Sequence, residues 1–115
     1  MITTITLSGG RSLELAANAA TPYRFKQIFK KDLFQLFTSA ALKGEESGTD
    51  VADSIPELAY IMNMQAQKAD MNALKIDDFM DWLEGFGPMD LIYAGESIMN
   101  FYLQSTTSSV QPKKA

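Results

Sequence analysis

TPYRFKQIFKKDLFQLF, residues 21–37, is an aromatic-rich stretch that decides the fold, because its spacing of apolar residues predicts a long amphipathic helix. Thr21 can cap the first turn, and Pro22 suits the first helical position because its fixed φ is already helical. We expect the helix to end at 42–43, where Gly44 can adopt a left-handed terminal conformation. The stretch therefore predicts one helix that continues past residue 37.

This helix has more apolar surface than one core-facing side needs. At 100° per residue, one broad stripe contains Phe25, Ile28, Phe29, Leu33, Leu36, Phe37 and Ala40. The roughly opposite side contains Tyr23, Phe34 and Ala41. Two apolar sides predict a protein partner in addition to a core.

Asp32 falls inside the broad apolar stripe. A buried carboxylate needs partners, which Arg24, Lys31 or backbone N–H groups of another segment could supply. We expect Asp32 to be a buried structural anchor.

Composition limits the classes of function. The chain has 115 residues, 46% hydrophobic and 21% charged, which predicts one soluble domain in the cytoplasm without a membrane span. It contains neither cysteine nor histidine, so it lacks the usual nucleophile, general base and transition-metal ligands. We expect no enzyme activity, no catalytic residue, no cofactor and no metal site. The net charge of −4 also argues against a nucleic-acid partner.

The N-terminal segment predicts a β-hairpin. Residues 3–7 and 11–15 alternate apolar and polar types, and Ser8-Gly9-Gly10 between them favours a reversal. Four side chains should share the buried face: Ile5, Leu7, Leu13 and Leu15. We expect the first helix to support this hairpin.

Three further helices follow in the pattern. They are predicted to start near Asp53 to Pro56 and end near Ala69, to span Ile76 to Phe86, and to run from Pro88 to Leu103. The helix from Ile76 should bury Ile76, Phe79, Leu83, Phe86 and part of Trp82. The last helix has the broadest apolar surface, which is typical of a central or an oligomer-facing helix, and we expect central burial. This surface contains Leu91, Ile92, Ala94, Ile98, Met99, Phe101, Tyr102 and Leu103. The predicted fold is α+β and predominantly helical, with an N-terminal β-hairpin packed on a bundle of about four helices. One globular domain should occupy residues 1–104, followed by a flexible polar tail at 105–115.

Several side chains lie outside the main predicted core stripes. On the second helix, Tyr60 and Met64 are four residues apart on the less apolar side. With the exposed side of the first helix and the broad last helix, they give six candidate partner-binding residues: Tyr23, Phe34, Tyr60, Met64, Met99 and Tyr102. On the third helix Asp77, Asp81 and Glu84 form one ridge, which is either a basic-partner surface or a solvated face.

The order of these segments resembles the tail assembly chaperones of long-tailed bacteriophages (siphophage-like). The resemblance covers most of residues 1–104. It rests on the hairpin followed by TPYRF (21–25), FKKDL (29–33), LAYIM (58–62) and FMDWLE (79–84).

The resemblance implies a small, non-enzymatic chaperone of virion assembly that acts in the host cytoplasm. Such a protein coats and solubilises the tape measure protein, helps recruit tail tube subunits, self-associates into an oligomer and is absent from the mature virion. The family also often makes a longer product by ribosomal frameshifting, and Pro112-Lys113-Lys114 is compatible with an adenine-rich slippery stretch.

Two other classes remain open. A structural tail-completion or head–tail connector protein could also combine a hairpin with helices, but it would stay in the virion. A small transcriptional regulator would need a basic recognition helix, which the acidic sequence does not supply.

Overall fold

A computed structural model describes residues 1–7, 10–36 and 48–109. Two strands, β1 (Ile2–Thr6) and β2 (Ser12–Ala16), precede five helices. The helices are α1 (Thr21–Phe29), α2 (Gly48–Ala66), α3 (Ile76–Leu83), α4 (Asp90–Tyr93) and α5 (Gly95–Ser109). A separate helical turn covers 33–36, and a 3₁₀ turn covers Met71–Ala73. The α+β fold class, with an N-terminal hairpin on a helical body, is confirmed.

The hairpin forms as predicted. β1 and β2 are antiparallel, with Ile2 opposite Ala16 and Ile5 opposite Leu13. Leu7, Leu13 and Leu15 are buried, and Ile5 packs against the same core. Its main support is α2, however, because β2 packs along that helix, so the expectation that the first helix supports the hairpin is wrong.

The central element is α2. All five side chains from Leu58 to Met62 are buried, so the helix is enclosed on every side at this level. It contacts β2, α1, α3, α4 and α5. It begins at Gly48 and continues through Pro56, earlier than the start predicted at Asp53 to Pro56. The central position predicted for the last helix is therefore occupied by α2.

The long first helix is interrupted at Lys30. Lys30 has φ 60° and ψ 33°, a left-handed conformation, and its N–H donates to the Lys26 carbonyl at 2.9 Å. This geometry ends α1, and Asp32 starts the 33–36 turn. The prediction of one helix to 42–43 is wrong at this point, and residues 37–47, which include its predicted end, lie outside the described residues.

The C-terminal helices also differ from the prediction. The expected helix from Pro88 to Leu103 is two helices, α4 and α5, which meet at Ala94. The inner side of α5 buries Ile98, Phe101 and Tyr102, whereas Leu103 is exposed. α5 continues to Ser109, beyond the predicted start of the tail at residue 105, and residues 110–115 lie outside the described part of the chain.

An aromatic cluster joins three helices. Ring centroids are 5.4 Å apart for Phe25 and Phe29, 5.0 Å for Phe29 and Phe79, and 5.4 Å for Tyr60 and Phe79. Trp82 continues the cluster, 5.3 Å from Tyr60. Contacts at these spacings add to apolar burial and fix the relative positions of α1, α2 and α3.

The start of α3 departs from its predicted burial. Phe79 is buried, and Trp82, Leu83 and Phe86 are half-buried against the core, as predicted. Ile76, in the first turn of α3, is exposed, so its predicted burial is wrong.

Candidate interaction surface

The hairpin has two outer edges, which the strand register defines. Ala17 donates its N–H to the Met1 carbonyl at 2.8 Å, and Leu7 donates to the Arg11 carbonyl at 2.6 Å. Met1–Ala17 and Leu7–Arg11 are therefore hydrogen-bonded pairs, and hydrogen-bonded and non-hydrogen-bonded pairs alternate along the strands between them. The backbone groups of Ile2, Thr4 and Thr6 in β1 must then face away from β2, and those of Ser12, Glu14 and Ala16 must face away from β1. These two sets form the outer edges of β1 and β2.

Buried amide side chains of α2 cover the outer edge of β2. Gln65 donates from Nε2 to the Ala16 carbonyl at 2.7 Å and to Thr21 Oγ1 at 3.0 Å. Its Oε1 accepts a bond from Arg24 Nη1 at 2.9 Å. Gln65 is thus the junction between β2, the start of α1 and α2.

Asn63 makes an equivalent contact with Glu14, two residues before Ala16 in β2. Its Nδ2 donates to the Glu14 carbonyl at 2.8 Å. Its Oδ1 accepts bonds from Trp82 Nε1 and from Gln67 Nε2, both at 3.0 Å. Together, Asn63 and Gln65 satisfy the outward carbonyls of Glu14 and Ala16 and block strand addition at this edge.

The outer edge of β1 differs. The sheet contains β1 and β2 only, within the ranges 1–7, 10–36 and 48–109. Within those ranges the outward N–H and C=O groups of Ile2, Thr4 and Thr6 form no hydrogen bond with another backbone segment. In the part of the chain that the structure describes, the hairpin therefore has one covered edge and one open edge, whose backbone groups form no hydrogen bond with another backbone segment.

Two aromatic side chains predicted to bind a partner are on the surface. Tyr23 and Phe34 are each 76% exposed. Their predicted exposure is confirmed, but they do not lie on one helix, because α1 ends at Phe29 and Phe34 belongs to the separate 33–36 turn. A role in binding stays a prediction.

The predicted surface positions of Tyr60 and Tyr102 are wrong. Tyr60 is only 1% exposed, because α2 is enclosed on all sides, and Tyr102 lies on the buried side of α5. Burial raises the pKa of the Tyr60 hydroxyl above its ordinary value of 10.0, and the negative charge of Asp78 raises it further. Burial also raises the pKa of Tyr102. Both tyrosines belong to the core.

Met64 and Met99 are intermediate cases. Both side chains are half-buried, and Met64 packs against the main core. Each exposes only part of its side chain to solvent, so neither resembles the exposed rings of Tyr23 and Phe34.

Asp32 is exposed, which corrects its assignment as a buried anchor. Its Oδ1 accepts a hydrogen bond from the Gln35 N–H at 3.1 Å, so it caps the 33–36 turn. The expected cation partners are engaged elsewhere: Arg24 binds Gln65, and Lys31 Nζ lies 2.7 Å from Glu57 Oε1. The helical wheel placed Asp32 wrongly because the helix breaks before it.

A second apolar surface was missed by the sequence reasoning. Ile92, predicted to be buried, is 63% exposed, and Tyr93 is 70% exposed. Tyr93 borders a groove of about 250 Å³ that also contains Ile5, Thr6, Leu7, Ala94 and Ser97. Leu91 and Ala94 occupy the buried side at this point, so Ile92 and Tyr93 face solvent. The i, i+4 spacing of Met89 and Tyr93 was the available sequence signal.

The acidic ridge is on the surface. Asp77, Asp81 and Glu84 are exposed on α3, which fits both the partner surface and the solvated face considered from the sequence. Within the described residues no group of three acidic, cysteine or histidine side chains is arranged to hold a metal ion. No helix in that part of the chain has the length and apolarity needed to cross a membrane.

The chain shows no significant match to known protein families, to curated proteins or to solved structures.

Proposed function

We propose that this protein is a non-enzymatic tail assembly chaperone of a long-tailed bacteriophage, which binds and solubilises the tape measure protein and helps recruit tail tube subunits. The proposal rests on the resemblance of the hairpin and of residues 21–25, 29–33, 58–62 and 79–84 to that family. In this proposal the protein acts in the host cytoplasm as an oligomer and leaves the assembly before the virion is complete.

The observation that supports the proposal best is the exposure of Tyr23 and Phe34. Large aromatic side chains contribute much of the binding energy at protein interfaces, and both rings are about three-quarters exposed. A tape measure protein presents long helical segments, whose apolar stripes need shielding before assembly. Exposed rings on a stable helical body suit such a client, because they bind without reorganisation of the core.

The test is co-expression with the tape measure protein encoded in the same genomic neighbourhood. We expect a soluble stoichiometric complex by size-exclusion chromatography with light scattering, and less aggregated client than in cells without the chaperone. The double variant Tyr23→Ser with Phe34→Ser should lose the complex while its thermal unfolding stays close to that of the parent, since both side chains are in solvent.

Tyr93→Ser is a matched control, because this aromatic side chain is similarly exposed but lies on α4. Loss of the complex in Tyr93→Ser alone would move the client surface to α4. Absence of any complex at low and moderate salt would contradict the chaperone proposal. Detection of the chain in purified virions by mass spectrometry would instead favour a structural tail-completion or head–tail connector protein.

The longer frameshifted form is tested separately. The predicted slippery stretch corresponds to residues 112–114, which lie outside the described residues. Sequencing of the coding DNA and the masses of the products in infected cells test it. An interrupted adenine run at these codons would rule out this version of the signal.

A further inference from the structure

Among the described residues, the outer edge of β1 has no charged side chain, proline or bulge that would prevent strand addition, although α5 contacts β1 and the groove beside Tyr93 lies next to Ile5, Thr6 and Leu7. Natural edge strands are protected by charged side chains, proline, bulges or a covering element. β1 has the sequence Ile2-Thr3-Thr4-Ile5-Thr6, which is uncharged and entirely β-branched, and it contains no proline. The outer edge of β2, on the other side of the hairpin, is covered by Asn63 and Gln65. Of the two edges, that of β1 is therefore the one available to an added strand.

The side chains along this edge also favour a protein neighbour. Ile2 is 68% exposed, although β-branched apolar residues are usually buried, and Thr4 and Thr6 are exposed on the same face of the sheet. β-Branched side chains gain contacts when a second strand lies beside them.

The register of β1 makes it complementary to itself. When two β1 strands pair antiparallel about a two-fold axis at Thr4, Thr4 lies opposite the Thr4 of the second copy, and Ile2 lies opposite Thr6. All three residues have outward-facing backbone groups, so each pair exchanges two hydrogen bonds and the edge forms about six. A shift by one residue would place outward groups opposite inward ones and lose these bonds. Since β1 has no charged side chain, the pairing places no like charges opposite each other.

We propose that β1 pairs antiparallel with β1 of a second copy, centred on Thr4, to form a continuous four-stranded sheet. A five-residue strand pair covers less than the roughly 1,200 Å² typical of the smallest stable interfaces, so the dimer should be weak, with a dissociation constant in about the micromolar range. This inference does not depend on the client or on the chaperone role.

The test uses single cysteines, because the natural chain has none. In the proposed dimer the two Thr4 Cα atoms are about 5.5 Å apart, within the range of a disulfide. Thr4→Cys is at an exposed position, and we expect rapid formation of a disulfide-linked dimer under mild oxidation, about tenfold or more faster than for a matched surface cysteine.

Glu14→Cys supplies the matched control. Glu14 lies directly opposite Thr4 within the hairpin and is also exposed, but its strand has the covered edge. Similar rates for the two variants would overturn the proposal, since collisions alone would then explain the disulfide.

A non-covalent measurement completes the test. Sedimentation equilibrium up to about 500 µM should show a dimer for the parent chain, weakened at least about tenfold in Thr4→Lys, which places two positive charges opposite each other across the axis. Circular dichroism should show that Thr4→Lys still folds, because this exposed side chain faces solvent in the monomer. A parent chain that stays monomeric, or equal association in Thr4→Lys, would overturn the proposal. If Thr4→Lys lost the complex with the tape measure protein but associated with itself as strongly as the parent chain, the proposal would also be overturned. The β1 edge would then bind the client and not a second copy.

Discussion

Truncation of the Gln65 side chain should lower the free energy of unfolding by more than is usual for a polar residue. Gln65 is 8% exposed and makes three hydrogen bonds, to the Ala16 carbonyl, Thr21 Oγ1 and Arg24. Gln65→Ala removes these bonds and leaves the Ala16 carbonyl without its side-chain donor, whereas Thr21 Oγ1 still accepts a hydrogen bond from the Asn18 N–H at 3.0 Å.

The magnitude follows from these contacts. Two neutral bonds contribute about 1 kcal/mol each, and an unpaired buried acceptor costs about 1–2 kcal/mol more, so we expect a loss of about 3 kcal/mol in the free energy of unfolding. The higher helix propensity of alanine offsets only a few tenths of this. For a chain of this length, such a loss lowers Tm by roughly 10 °C.

Urea unfolding followed by circular dichroism measures the loss, with thermal melts as a second readout. Gln65→Met is an informative second variant, because it keeps most of the side-chain volume and removes only the amide. Gln27→Ala is the matched control, since Gln27 is exposed on α1. A loss below about 0.5 kcal/mol for Gln65→Ala would refute the reasoning, because it would mean that the amide contributes no more than an ordinary surface residue.

Three further changes test local features. Lys30→Gly should stabilise the protein by roughly 0.5–1 kcal/mol in thermal unfolding, because glycine adopts the φ of 60° without Cβ strain, whereas Lys30→Ala retains the Cβ and should give no gain. Asp32→Ala should cost about 1 kcal/mol through loss of the cap on the Gln35 N–H, and Asp32→Asn should retain most of that stability; equal losses in the two variants would contradict a capping role. Above about pH 10 the free energy of unfolding should fall as pH rises, because tyrosines of the unfolded chain ionise while the raised pKa values of Tyr60 and Tyr102 keep these groups protonated in the folded state. Urea unfolding between about pH 8 and pH 11 measures this fall, and an unchanged slope in the double variant Tyr60→Phe with Tyr102→Phe would count against the assignment.

Much of the fold could be predicted from local patterns. The alternation around Leu13 and Leu15 defined a hairpin with one buried face, and the structure has that hairpin. The helical period of Phe25, Ile28 and Phe29 identified the buried side of α1, and the same geometry placed Tyr23 in solvent. Periodicity works for these elements because each one has a single side against the core.

Local patterns failed where the backbone departs from regular geometry. A helical wheel assumes an unbroken helix, so the left-handed Lys30 changed the position of Asp32 from the core to the surface. The sequence contained a signal for the break, because Asp32 and Gln35 have the spacing of a capping box. The break between α4 and α5 at Ala94 altered the exposure of Ile92 in the same way.

The sequence by itself determined the element types, the buried face of the hairpin and the acidic, histidine-free and cysteine-free chemistry, because these depend on neighbouring residues and on composition. Only the tertiary structure decided which helix is central and which edge of the hairpin stays open. Those features depend on contacts between distant segments: α2 encloses Tyr60, and its Asn63 and Gln65 amides bind carbonyls of β2 that lie 49 positions earlier in the chain. No local pattern specifies such a contact, since an amide side chain on a helix has the same local sequence whether it faces solvent or the edge of a strand.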